Sequence, residues 1–231
     1  MKTTTRLSVI RENVLHNSTP RRVTAALLGN VILGIGVGAM KLSGMGNDPF
    51  CAATMAVSDG LHIGLGNFQL LLNLVLSLCL FIWGYRHIGL GTLFNMCLTG
   101  YVIQFSQGPL EAVFGSGAGR SLPFCLGYML AALLVASFGL SMYQKADLGM
   151  APYDFFSIGM TEHFHSPYFI SRIITDGTCV CVILLSVALG LVGWENSHLG
   201  IGTVVCAFCL GPFVGTFDKL NEKWIHEQES V

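Results

Sequence analysis

The chain contains 231 residues, of which 52% are hydrophobic and only 11% are charged. A soluble domain ordinarily carries about 25% charged residues, so this composition cannot build a surface that faces water. It excludes a soluble globular protein and indicates a chain that crosses a membrane several times. The formal net charge of −1 indicates neither an acidic nor a basic partner, and we expect no nucleic acid to bind.

Six apolar stretches approach or exceed the roughly 20 residues with which a helix crosses a bilayer. In chain order they cover residues 23–45, 67–85, 88–107, 122–144, 169–192 and 198–217. The sequence therefore predicts an all-α polytopic membrane protein with six transmembrane helices, embedded in the lipid bilayer.

Two shorter apolar segments, 47–62 and 150–164, lie between these stretches. The second contains Asp154 together with other titratable residues, and an acid at the centre of a bilayer costs roughly 2.5–3.5 kcal/mol on insertion scales. Pro49 and Pro152 stand near the starts of the segments, and proline favours the first turn of a helix. We therefore predict two short helices, either re-entrant or interfacial.

Basic residues favour a topology in which both termini are cytoplasmic. Five of them precede the first predicted span, and Lys219 and Lys223 follow the last one. The predicted organisation is a cytoplasmic N-terminal tail over 1–22, a first membrane repeat over 23–107, a linker over 108–121, a second membrane repeat over 122–217 and a cytoplasmic tail over 218–231.

The two halves of the chain repeat one pattern of residues. At the offset that separates Pro49 from Pro152, His62 corresponds to His165, Gln69 to Arg172 and Asn73 to Asp176. After a short insertion in the second copy, Gly89-Leu90-Gly91-Thr92 corresponds to Gly200-Ile201-Gly202-Thr203. Three spans per copy is an odd number, so the copies enter the membrane from opposite faces and form an inverted 3+3 repeat, as in many transporters. We expect the two short segments to face each other near the membrane midplane.

The strongest candidates for binding a substrate or an ion are a charged pair in the fifth predicted span. Arg172 and Asp176 are four residues apart and share one helix face, and their counterparts Gln69 and Asn73 share one face of the second span. Charges inside a membrane usually line a cavity or a helix interface. Two interpretations stay open: a site where the repeats meet, or a structural role, as a clamp between helices or with Arg172 extended to the headgroups.

Asp48 and Asp154, beside Pro49 and Pro152, complete the set of candidates. A carboxylate at this position can cap the N-terminus of a helix, and capping alone would account for both acids. The alternative is that they coordinate a cation or a proton beside the broken helices.

Catalytic and metal-binding patterns add no further candidates. The sequence contains no Ser-His-Asp, His-Glu-x-x-His or Walker arrangement, each of which places chemical groups at a defined spacing. The eight cysteines lie mostly inside apolar stretches, where we expect them to pack as small apolar residues. We therefore expect no enzyme, no metal site and no cofactor.

The residues from Gly149 to Asp154 resemble the Gly-x-x-Pro-Trp/Tyr-Asp signature of the YczE/YyaS/YitT-like bacterial integral membrane proteins. Leu199-Gly200-Ile201-Gly202-Thr203 and the stretch from Gly211 to Asp218 are similar to the second signature of that family. The resemblance covers roughly residues 25–220. It implies a location in the bacterial inner membrane and an internal duplication, and it implies no particular substrate. The first copy departs from the signature, because Asp48-Pro49-Phe50-Cys51 lacks the acid that follows the proline by two positions.

These observations favour a small transporter or permease of the bacterial inner membrane for an unidentified small solute. The alternative is a membrane accessory or scaffold protein that transports nothing and assists another pathway, which the small size and short loops suit equally well. A homo-oligomer is compatible with either hypothesis. A polar central cavity lined by both repeats would favour transport, whereas a dry bundle would favour the accessory role.

Overall fold

A computed structural model describes residues 6–16, 18–117, 119–166 and 168–226, and these ranges contain helices and no strand. The α-helices are α1 Arg6–His16, α2 Pro20–Leu42, α3 Pro49–Gly60, α4 Leu65–Trp83, α5 Leu90–Phe114, α6 Leu122–Lys145, α7 Pro152–Phe164, α8 Tyr168–Ala188 and α9 Ile201–His226. Short 3-10 turns, Tyr85–His87 and Trp194–Asn196, precede α5 and α9. The all-α prediction is confirmed, and the two short helices begin at the two prolines.

Within the described ranges, five segments are long and apolar enough to cross a membrane: Pro20–Leu42, Leu65–Trp83, Leu122–Lys145, Ile170–Ala188 and Trp194–Ile225. The prediction of a multi-pass membrane protein is therefore confirmed at this level. The third predicted span, now α5, is long enough but is not among these five, and it carries several polar residues. Two of them, Asn95 and Thr99, donate hydrogen bonds to Asn30 Oδ1 in α2 at 3.0 and 3.1 Å. The polar face of α5 is thus buried against α2.

Polar residues lie inside the helix bundle and apolar residues cover its surface. The side chain of Asn30 is fully buried, whereas Leu71 in α4 is 59% exposed and Phe208 in α9 is 70% exposed. A soluble protein shows the opposite tendency, because exposed apolar area is unfavourable in water. The exposed side chains of these helices therefore suit contact with lipid.

Small residues bring α2 and α6 into close contact. A Cβ atom on Gly36 would lie 2.5 Å from Ala136 N, and one on Gly29 would lie 2.6 Å from Tyr143 N. These two contacts show that α2 and α6, the first long helices of the two halves, run antiparallel. Membrane helices pack closely through such residues because lipid supplies little hydrophobic force to hold them together.

The remaining helices pack around this central pair, and several of their ends differ from the predicted ones. α5 packs on α2 and on α4, α9 packs on α6, and the short helices α3 and α7 both contact α4 and α8. α5 continues to Phe114, into the segment predicted as a linker, and α9 continues to His226, beyond the predicted end of the last span.

Candidate functional site

The loops before α3 and α7 each contact the start of the last long helix in the opposite half of the chain. The backbone hydrogen bonds between them come in two matching pairs. Gly91 N–H donates to Leu148 O and Gly202 N–H donates to Met45 O, both at 2.7 Å. Met150 N–H donates to His87 O at 3.0 Å, and Asn47 N–H donates to His198 O at 3.1 Å. Corresponding residues therefore make corresponding contacts, so an approximate two-fold relation connects the halves.

Glycine is required at the centre of each of these contacts. Gly46 and Gly149 have φ values of +108° and +109°, which residues other than glycine rarely adopt. A Cβ atom on Gly46 would lie 2.8 Å from Gly200 N, and one on Gly149 would lie 2.6 Å from Gly89 N. The repeated glycines of the sequence are thus explained by one backbone contact that occurs twice.

The two short helices meet at their N-terminal ends. The rings of Phe50 in α3 and Tyr153 in α7 stack with their centroids 4.2 Å apart and their planes inclined by 19°. These two residues correspond to each other in the repeat, so the stack lies close to the approximate two-fold axis. The prediction that the short segments face each other is confirmed for their N-terminal ends, and their place near the membrane midplane stays a prediction.

Arg172 in α8 lies between two carboxylates. Its Nη1 donates to Asp154 Oδ1 at 2.8 Å, and its Nε donates to Asp176 Oδ2 at 3.3 Å. The three side chains are only 19–26% exposed. The predicted pair of Arg172 and Asp176 is therefore present, but it is part of a triad that also includes the acid of α7. The guanidinium forms bonds within the bundle, which favours a role between helices over extension to the headgroups.

Tyr153 connects this triad to the aromatic stack. Its hydroxyl donates to Asp176 Oδ1 at 2.7 Å, and the Arg172 guanidinium lies 5.2 Å from the centre of its ring. A cation over an aromatic face is attracted by the ring quadrupole. Tyr153 therefore helps to hold both charged groups of α8, a role that its place in the sequence does not indicate.

Asp48 and Asp154 have different roles and different positions in the repeat, because Asp48 corresponds to Ala151 and Asp154 to Cys51. Asp48 Oδ1 accepts a hydrogen bond from Cys51 N–H at 3.2 Å and caps α3. Asp154 lies in the first turn of α7, which has Ala151 at its N-cap and no side-chain cap, and it binds Arg172 instead. The capping interpretation thus holds for the first acid only. Pro49 and Pro152 both occupy the first turn of their helices.

Gln69 and Asn73 in α4 are buried at 2% and 1% exposure. Gln69 Oε1 and Asn73 Nδ2 are buried without a hydrogen-bond partner among the described residues. A buried amide without a partner ordinarily costs free energy, so each such group calls for an explanation. Gln69 lies beside the charged triad and lines the same cavity, whereas Asn73 is not among the residues that line it.

A cavity of about 90 Å³ lies between the two halves, and it adjoins a groove of about 420 Å³. Both spaces are lined by Asp48, Asp154 and Arg172. The cavity also contacts Gln69, Asn95 and Thr99 from the first half, and the groove extends along α9 to Ala207 and Val214. The central space is therefore polar at one wall and lined by both halves of the chain.

A third space, of about 350 Å³, reaches the triad from the side on which α1 packs. It is lined by Asn13, Arg86 and His87 at one end and by Asp154 at the other. Asn13 Nδ2 donates to Arg86 O at 2.8 Å, which fixes α1 against the 3-10 turn before α5. Asp154 thus borders all three spaces.

A histidine and an acid join the two halves at the C-terminal end of each short helix. His198 Nε2 lies 2.9 Å from Asp59 Oδ2, and His87 Nε2 lies 3.9 Å from Glu162 Oε1. The four residues correspond pairwise in the repeat. The contact is tighter at the end of α3 than at the end of α7.

Sequence reasoning brought Arg172, Asp176 and Asp154 forward, but it missed Tyr153 and the polar cluster of Asn30, Asn95 and Thr99. The signal for that cluster was available, because Asn95 and Thr99 are four residues apart in an otherwise apolar stretch. Such spacing places two polar groups on one helix face.

These features define a multi-pass membrane protein whose two halves meet around a charged central cavity. Residues 20–219 match the family model DUF6198, a family of unknown function, and the chain belongs to this family. The chain is similar to an uncharacterized protein of Haemophilus influenzae, with 27% identity over 211 residues that cover 89% of this chain and 87% of that relative. No solved structure matches the chain.

Proposed function

We propose that the protein is a small transporter of the bacterial inner membrane that carries a small solute through the cavity between its halves. The observation that supports this most strongly is the position of Asp48, Asp154 and Arg172 around a cavity lined by both halves. Ionisable groups within a membrane are costly, and proteins that retain them commonly use them along a substrate or ion path.

The proposed topology has six spans in an inverted 3+3 repeat, with α3 and α7 as re-entrant helices. α5 supplies the sixth span, because it runs beside α2 in the same direction: Asn30 contacts Asn95, and Gly38 lies beside Ser106 further along. An even number of spans places both termini on the same side of the membrane, and the basic N-terminal region assigns that side to the cytoplasm. The resemblance to the YczE/YyaS/YitT-like proteins supports the same bacterial location.

An asymmetry between the halves supports transport over a static scaffold. α4 and α5 pack together: Gly66 N–H donates to Gln104 Oε1 at 2.8 Å, and Ser77 Oγ lies 3.5 Å from Met96 Sδ. The corresponding helices α8 and α9 do not pack in this way within the described residues, and the groove lies beside them. In inverted-repeat transporters one repeat moves against the other around a central site. We propose a second state in which α8 and α9 close while α4 and α5 separate.

Disulfide cross-linking tests this second state. In a variant without native cysteines, S77C/M96C joins the helices that are already packed, so it is the matched control. V180C/A207C occupies the corresponding positions in the second half. A transporter is expected to cross-link at both pairs, each in a fraction of molecules, because two states exchange on a microsecond-to-second timescale.

Cross-linking in native membrane vesicles gives opposite results for the two candidate functions. If only S77C/M96C reacts, however long the oxidant is applied, the second state does not form and the accessory role is favoured. If both pairs react, metabolite profiles of a deletion strain and an overexpressing strain then identify the solute that accumulates or disappears.

A further inference from the structure

The groups around the central cavity carry more negative than positive charge. Three carboxylates, those of Asp48, Asp154 and Asp176, face the cavity or the adjoining groove, and Arg172 is the cation among the described residues that line them. Arg172 already binds Asp154 and Asp176. Asp48 accepts hydrogen bonds from the N–H and the thiol of Cys51, and a carboxylate can accept about four, so it keeps capacity for a further donor.

Gln69 supplies a second, independent sign of a missing donor. Its side chain is 2% exposed and lines the cavity, and its Oε1 has no hydrogen-bond partner among the described residues. Native proteins pair nearly all buried polar atoms with a protein group, a water or a ligand. The amide of Gln69 and the carboxylate of Asp48 line the same cavity, so one donor group there can serve both.

The volume and the charge together define the class of ligand. A cavity of about 90 Å³ has room for a small head group, because roughly 10–15 Å³ of such space already admits one water molecule. The group must be positive to balance the excess of carboxylates and must carry N–H donors for two oxygen acceptors. An anion is disfavoured, because the guanidinium of Arg172 is already paired with two acids.

We infer that the cavity binds a small organic cation through an ammonium or guanidinium group held by Asp48 and Gln69. The remainder of the ligand occupies the adjoining groove of about 420 Å³. The inference rests on the proposed function in so far as it takes this cavity to be the substrate path. The same head group occurs in free amines and in the ethanolamine headgroup of a phospholipid, and the experiment separates these two sources.

The test measures thermal stability of the purified full chain in phosphatidylglycerol nanodiscs. Methylammonium and methylguanidinium chloride are titrated in parallel with sodium chloride at matched ionic strength. A cation that binds the folded state raises the melting temperature in a saturable way. We expect saturation with one of the two organic cations and none with sodium.

Two variants and one control locate the effect. Asp48→Asn keeps a side chain that caps a helix as well as aspartate does, so the fold is retained, and the affinity is expected to fall at least tenfold. Gln69→Leu removes the unpartnered amide and should weaken binding several-fold without loss of stability. Asp59→Asn, which removes an exposed acid outside the cavity, should leave the affinity unchanged.

Each outcome decides the inference. Equal stabilisation by sodium, an unchanged affinity in Asp48→Asn, or no saturable response would overturn it. If nanodiscs that contain phosphatidylethanolamine abolish the response of the parent protein to methylammonium, the headgroup is the ligand; an unchanged response assigns the site to free cations. Binding without the V180C/A207C cross-link would retain the site and refute transport, whereas both cross-links without binding would retain transport and refute the site.

Discussion

Replacing Arg172 with glutamine is the most informative perturbation of the charged triad. The change leaves Asp154 and Asp176 without their shared cation, in a place where each carboxylate is about one-fifth exposed. Glutamine is also the residue at the corresponding position of the first half, Gln69, so the helix itself tolerates it. The expected loss of stability therefore comes from the charges and not from packing.

The size of the effect follows from the two bonds that are lost. Hydrogen bonds to charged groups contribute about 1.5–3 kcal/mol each, and removal of one partner from a buried ion pair costs roughly 3–5 kcal/mol. Partial exposure of these side chains lets water solvate the stranded carboxylates, which favours the lower end, about 3 kcal/mol. For a chain of this length that corresponds to a fall in melting temperature of about 6–12 °C.

Thermal unfolding in nanodiscs checks this value, and a series of combined variants assigns it. Adding Asp154→Asn to Arg172→Gln should recover more stability than adding Asp176→Asn, because the Asp154 contact is the shorter one, 2.8 Å against 3.3 Å. The variant with all three changes should recover most of the loss, since no charge is left stranded. An Arg172→Gln protein that melts like the parent would refute the triad as a stabilising unit, and a triple variant less stable than the single one would refute the charge argument.

Three further predictions follow from other parts of the fold. An alkaline phosphatase fused after His226 should be inactive, because the C-terminus is predicted to be cytoplasmic; high activity would contradict the topology. Gly149→Ala should destabilise the protein by roughly 2–4 kcal/mol through a strained φ and a clash. Gly127→Ala, in open space within α6, should stabilise it by about 0.5–1 kcal/mol. Equal melting temperatures of these two variants would refute the backbone contact at Gly149. The hydrogen bond from His198 and a nearby lysine hold the pKa of Asp59 below its ordinary value. The contribution of Asp59 to stability is therefore present above about pH 4 and is lost as the pH falls through the lowered pKa. The melting temperatures of the parent and of Asp59→Asn should converge in acid, and a constant gap between them would contradict this.

The amino-acid sequence by itself determined the class of protein and most of its helices. Apolar length identifies a membrane helix because the bilayer core has one thickness, and proline marks the starts of α3 and α7 because of its fixed φ. The duplication was visible in the sequence because Gly46 and Gly149 make equivalent backbone contacts, and both positions require glycine. α5 was predicted as a span as well, yet it is not among the five long apolar segments, and two of its polar residues bind Asn30.

The tertiary structure alone decided which charges meet and what surrounds them. Asp48 and Asp154 both lie within two residues of a helix-starting proline, yet one caps a helix and the other binds Arg172. The open groove beside α8 and α9 likewise has no signal in the chain, because α4 and α5 carry a comparable pattern and are closed. Hydropathy and local motifs report only what a residue does with its near neighbours and with lipid. The partners of Arg172, and the cavity that they surround, depend on contacts between helices that are distant in the chain, and the free energy of those contacts is set only once the bundle has packed.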